Sequence, residues 1–193
     1  MSGEKTKIGV LALQGAFELH KPHIEALGAI YVPVISSQNF DKLDGLILPG
    51  GESGTMLKLI TIVNMHRTLN NFLHTKPIWG VCAGAILLAK SVKNPTQESF
   101  GILDFEITRN AYGRQLESFQ EKIDDYEVSY IRAPKISKVG NHIHVLKERD
   151  GNATWLESSK IMITTFHPET NLSTPSPWHR RFIECCRGTS KCL

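Results

Sequence analysis

No stretch of this 193-residue chain approaches the roughly 20 consecutive apolar residues that a membrane-spanning helix needs. The first apolar run, IGVLAL, has only the length of a strand, and the MSGEKTK before it is polar, which does not read as a signal peptide. Cysteine is scarce, with four residues: Cys82, Cys185, Cys186 and Cys192. No C-x-x-C pair exists, three of the four crowd one end, and adjacent Cys185 and Cys186 make a poor disulfide pair. This usage points to a reducing compartment and a cytoplasmic location. Neither sign of charge dominates: 22 Lys and Arg stand against 19 Asp and Glu, interspersed, for a formal net charge of +3. That lacks the basic stripe of a nucleic-acid binder. No His, Cys, Asp and Glu group has metal-ligand spacing, so no metal is expected. The glycine-rich stretch LPGGES lacks the G-K-[ST] of a phosphate loop. Repeats, low-complexity segments and linkers are also missing, which predicts one domain over 1–193, with residues 1–6 and 188–193 as flexible tails.

What the chain does have is an alternation of buried-type strands and helical patterns. KIGVLAL (7–13) and GLILP (45–49) are near-continuous apolar runs. IYVPV (30–34) reads as a strand whose Pro33 favours an edge or a strand end. PIWGV (77–81) is another strand. Helices are predicted up to Leu27 with Gly28 as C-cap, over 55–64 and 67–74, and from Ala83 through Lys90. Pro22 leaves two readings of the first helix: a start near Lys21, or a kink. The second half alternates more, with ILDFEIT, YEVSYIRAP, HIHVLKE and IMITTFHPE as strands and 176–187 as a closing amphipathic helix. The pattern predicts an α/β fold, a mostly parallel central sheet with helices on both faces. Ligands of such sheets bind beyond the carboxyl ends of the strands. Gln14, the Gly50–Gly51 loop and Cys82 all fall at such ends.

Cys82 lies in G-V-C-A-G, where a strand turns into a helix. Small neighbours permit the strained turn that exposes a nucleophile, and the helix amino end favours thiolate. The competing reading is a buried structural cysteine. Among eight histidines, His167 stands out because it ends a buried-type strand on the same edge and is followed by Pro168-Glu169. Glu169 at i+2 is placed to hold one ring nitrogen while the other faces the thiol. A surface turn is the competing reading. LPGGES offers consecutive backbone N–H groups for an oxyanion, or is an ordinary turn. RNAYGRQ (109–115) carries two arginines suited to a carboxylate, or simply a solvated loop.

Together these blocks resemble the class I, triad-type glutamine amidotransferases, in which an elbow cysteine is followed much later by H-P-E. More narrowly, IGVLALQGAFELH, GLILPGGES, GVCAGAILLAK, RNAYGRQ, SYIRAP and TTFHPE look like the PdxT/SNO glutaminase subunits of pyridoxal 5′-phosphate synthase. That resemblance implies a flavodoxin-like fold and hydrolysis of L-glutamine through a Cys82 thioester, with His167 as base and Glu169 orienting it. It further implies substrate contacts at Gly50, Gly51, Glu52, Arg109, Ile131 and Arg132, and oxyanion or interface positions at Gln14, Gly51 and Ala83. The implied partner is a separate barrel synthase subunit (PdxS/SNZ type) that receives the ammonia and activates the glutaminase. No cofactor is expected on this chain. Gly54, where the family often has Thr, is expected to loosen the glycine loop.

Overall fold

The computed structural model of the chain describes residues 4–110, 118–173 and 175–190. Its first strand, β1 (Lys7–Leu11), leads through a 3-10 turn at Phe17–His20 into α1 (Lys21–Ala26). Pro22 sits in the first turn of α1, where a backbone N–H has no intrahelical acceptor to lose. The helix therefore starts at Lys21 and needs no kink. Then come β2 (Ile30–Val34), β3 (Gly45–Leu48), α2 (Ser53–Ile62), α3 (His66–Thr75), β4 (Ile78–Val81) and α4 (Ala83–Leu88).

Two boundaries depart from the expectations. α2 begins at Ser53, so Gly54 belongs to its first turn and not to the glycine loop. α4 ends at Leu88, and Ala89–Lys93 forms β5 where helix was expected to run through Lys90. Sheet pairing decides the second case: Ala89 and Val92 turn inward while Lys90 and Lys93 stay exposed, and pairing with the next strand overrides the helical preference of Ala and Lys.

The second half contains β6 (Leu103–Thr108), β7 (Ser118–Ile123), β8 (Tyr126–Ile131), β9 (Lys135–Val139), β10 (His144–Arg149), β11 (Asn152–Ser158) and β12 (Ile161–Thr164). It closes with α5 (Pro177–Arg187), whose N-cap Ser176 accepts the His179 N–H and whose C-cap Gly188 is left-handed. β7, β9 and β11 had no counterpart in the sequence reading.

The main sheet runs β2-β1-β3-β4-β12-β11-β9-β6-β5, with β10 paired to β11. β2, β1, β3, β4 and β12 are mutually parallel, whereas β11 and β9 pair antiparallel with their neighbours. β2 is an edge strand, so Pro33 deprives no inner neighbour of a hydrogen bond. The core has two layers, one on each face. Leu46, Leu48 and Ile78 pack toward α2, α3 and α4, while Ile8, Val10, Ile47, Trp79 and Met162 pack toward α1 and α5. Burial on both faces is why these strands read as unbroken apolar runs. β7 and β8 form a separate hairpin whose Val128 and Tyr130 join the second layer. Among the described residues, no helix is long and apolar enough to cross a membrane.

Candidate active site

β4 ends at Val81, and Cys82 turns the chain into α4 with φ +48° and ψ −99°. An L-residue rarely adopts this conformation, which stores roughly 1–3 kcal/mol of strain. The turn is held from two sides: Cys82 N–H donates to the Thr164 carbonyl at 2.8 Å, and Ile86 N–H donates to the Cys82 carbonyl at 3.2 Å. Gly84 must be glycine here, because a β-carbon on it would collide with the Leu48 carbonyl. α4 thus rides directly on the end of β3, with buried Ala83 opening its first turn.

His167 reaches Cys82 by way of the sheet. β12 lies parallel to β4, with Thr164 opposite Val81, so both chains leave the ladder on the same edge. His167 then exchanges backbone hydrogen bonds with Ser129 of β8, at 2.7 and 3.3 Å. Its Nδ1 lies 2.7 Å from Glu169 Oε1, and both side chains are buried. Burial opposes charge on His167, but the Glu169 carboxylate and then the Cys82 sulfur outweigh it and hold its pKa well above the ordinary value. Burial also works against the Glu169 carboxylate, yet His167 and His20 keep its pKa below the usual range. The Cys82 sulfur acts on the His167 ring both by its charge and as a hydrogen-bond acceptor. The sulfur itself sits 4.0 Å from the Ile131 carbonyl.

The glycine loop closes the site from the β3 side. A β-carbon on Gly50 would run into the His167 ring, so only glycine lets the two come this close. Ala16 N–H donates to the Gly50 carbonyl at 3.0 Å, and Gln14 Oε1 accepts the Glu52 N–H at 2.8 Å. The loops after β1 and β3 are therefore stitched together. Gly51, Glu52, Arg109, Ile131 and Arg132 line one pocket with Cys82. Glu52 and Arg132 pair across its mouth at 3.0 Å, both exposed.

Cys82, His167 and Glu169, the loops carrying Gln14 and Gly50–Glu52, and the wall residues Arg109, Ile131 and Arg132 lie in this region. Arg114, the second arginine of RNAYGRQ, lies outside the described residues. Ser53, Ile86, Asn110 and Pro134 also line the pocket and were not anticipated; their neighbours in the quoted motifs were the only available signal. Three buried histidines that no motif singles out, His20, His23 and His179, gather behind Glu169. Cys82 and Cys186 are free thiols, whereas Cys185 is disulfide-bonded, which the expectation of reduced cysteines did not include. Among the described residues, no three His, Cys, Asp or Glu side chains are grouped to hold a metal ion.

A strained thiol, a buried imidazole and a carboxylate that orients it form a constellation suited to acyl transfer. Residues 10–187 match the model of the SNO glutamine amidotransferase family. The chain is 44% identical over 188 residues to a pyridoxal 5′-phosphate synthase subunit PdxT of Koribacter versatilis, covering 94% of this chain and 96% of that one. It is 43% identical over 175 residues to the corresponding subunit of Solibacter usitatus, covering 84% and 91%. A crystal structure of a glutamine amidotransferase superposes with a TM-score of 0.84 at 34% identity, covering 93% of this chain and 98% of the other.

Proposed function

The chain belongs to the SNO glutamine amidotransferase family, and from this premise we infer that it hydrolyses L-glutamine to L-glutamate and ammonia as the glutaminase subunit of a pyridoxal 5′-phosphate synthase. In the mechanism we propose, Glu169 accepts the Nδ1–H of His167, which leaves Nε2 as the proton acceptor. Nε2 takes the Cys82 thiol proton, and the sulfur attacks the side-chain amide carbon of glutamine. The tetrahedral intermediate collapses as His167 returns the proton to the departing nitrogen, releasing ammonia and leaving a glutamyl thioester. Nε2 then deprotonates a water, whose oxygen attacks the thioester carbon. The C–S bond breaks, the proton returns to sulfur, and glutamate leaves.

The charged pocket wall suits the other end of the substrate. The guanidinium groups of Arg109 and Arg132 fit the α-carboxylate, and the Glu52 carboxylate fits the α-ammonium. Backbone N–H groups at Gly51 and Ala83 face the developing oxyanion in this scheme. Gln14, whose side chain engages the Glu52 N–H, lies on the loop where the barrel synthase subunit docks and collects the ammonia. The chain acts as a single domain in the cytoplasm, with no cofactor of its own. The observation that supports this reading most is the buried His167–Glu169 pair beside a cysteine held at positive φ.

The deciding experiment measures glutamate release from L-glutamine, with and without a candidate barrel synthase subunit. Stimulation by the partner is expected. Glutamate release at the same rate with and without every such partner would overturn the subunit assignment.

A further inference from the structure

The carboxylate that orients His167 is itself only half satisfied. Oε1 of Glu169 meets His167, while Oε2 is buried without a hydrogen-bond partner. Directly behind it lies His20, fully buried, with its Nε2 4.0 Å from Oε1 and likewise unpartnered. At 4.0 Å this is no hydrogen bond, so what His20 offers the carboxylate in the dry interior is the dipole of an N–H aimed at it.

The line continues away from the site. His20 Nδ1 lies 2.8 Å from His179 Nε2, and His179 Nδ1 lies 2.6 Å from Ser176 Oγ. Each of these hydrogen bonds needs one proton, and a neutral imidazole carries one. Charge is not available to supply more: burial drives the His20 pKa down to about 4 and that of His179 well below its ordinary value. Ser176 decides the direction. Its oxygen already accepts the His179 backbone N–H as the N-cap of α5. Its hydroxyl proton, fully buried, has the His179 Nδ1 as its one acceptor among the described residues. Donation there forces the His179 proton onto Nε2, which donates to His20 Nδ1, which forces the His20 proton onto Nε2. The reverse order would strand the serine proton and aim a lone pair at a carboxylate.

Neighbouring His23 is fixed separately. Its Nδ1 accepts the Ser176 N–H at 3.1 Å, so its proton is on Nε2, 3.4 Å from the Glu169 carbonyl. It braces the same turn but does not enter the relay.

We propose that His20 is a positioning residue for the glutaminase reaction: Ser176 and His179 set its tautomer so that its Nε2–H supports the Glu169 carboxylate. This rests on the triad reading and deepens it. The relay joins residues 20, 169, 176 and 179, so the closing helix α5 is tied to the active site through side chains and not only through packing.

Two measurements test it. The first is the imidazole nitrogen spectrum of the wild-type protein labelled with nitrogen-15. Protonated Nε2 on both His20 and His179 is expected; Nδ1–H on His20 would overturn the proposal whatever the variants do. The second is glutamine hydrolysis in the presence of the synthase subunit. His20→Phe keeps a ring but loses the N–H dipole, and should lower kcat several-fold, less than the loss of a full hydrogen bond to a charged group would. KM should stay within about twofold, because no substrate contact changes. His20→Gln, whose amide N–H reaches the place of Nε2, should recover most of the loss. Equal kcat in wild type and His20→Phe, or equal defects in the Phe and Gln variants, would show that His20 only fills space. Failure of the triad itself reads differently: Cys82→Ala would then retain activity, an outcome independent of the His20 series.

Discussion

His167 Nδ1 and Glu169 Oε1 are 2.7 Å apart, and a single proline separates the two residues in the chain. Pro168 opens a 3-10 turn, with His167 extended before it, and this brings i and i+2 side chains into hydrogen-bond contact. Replacing Glu169 by Gln keeps the shape but removes the charge. Glutamine turnover is expected to fall, yet by less than in Cys82→Ala. Steady-state kinetics with the synthase subunit present will check this, and wild-type rates for Glu169→Gln would remove the residue from the mechanism.

Cys82→Ala deletes the nucleophile and little else, since the β-carbon and the strained backbone remain. Glutamate release should vanish while circular dichroism and the thermal midpoint stay near wild type. Relief of the positive-φ turn does not follow from this change, because alanine is as strained there as cysteine. Undiminished hydrolysis would mean that another group attacks the amide.

Gly50 and Gly54 make a contrasting pair. A β-carbon at Gly50 collides with the His167 ring, so Gly50→Ala should displace the base and cost about 100-fold in kcat/KM, typical of a misplacement near 1 Å. At Gly54 the closest neighbour of an added β-carbon would be Gln97 Oε1 at 3.5 Å, an ordinary contact. Gly54→Ala should therefore stabilise the first turn of α2 by about 0.5 kcal/mol and leave activity unchanged. Urea unfolding and kinetics on both variants distinguish the two effects.

Acid should destabilise the fold well above the range of ordinary carboxylates. Burial lowers the pKa of His20 to about 4 and also lowers those of His23 and His179. Unfolded, all three titrate near 6.5. The unfolded chain thus binds more protons between pH 6.5 and 4, so stability is full above 6.5 and is lost as pH falls through that window. For His20 alone the loss is on the order of 3 kcal/mol. His167 does not offset it: its raised pKa gives a contribution that is full below 6.5 and lost as pH rises. Denaturant titrations at pH 7 and pH 4.5 measure the difference, which should shrink in His20→Phe. Equal stability at both values would show that these histidines are not held neutral.

Much of this molecule was legible because parallel strands buried on both faces announce themselves as apolar runs, and because elbow and triad residues sit at strand ends. β7 and β11 were not, since SFQEKI and NATWLES mix polar and apolar positions and owe their strand state to partners. The helix drawn through Lys90 failed for the same reason: Ala89 and Lys90 have a helical preference that pairing with β6 overrides. The histidine relay was hidden more deeply. His20 and His179 lie 159 positions apart, and no local spacing signals a contact made only when α1 and α5 pack together.

The parallel pairing of β4 with β12 has one more consequence. The nucleophile and its base follow the same ends of two neighbouring strands, so their separation is indifferent to the length of chain between those strands. Everything from β5 to β11 is a detour that leaves and returns to the same two strands. Insertions, deletions or a grafted hairpin in the exposed turns of that detour could rebuild the outer wall of the pocket while cysteine and histidine keep their appointment.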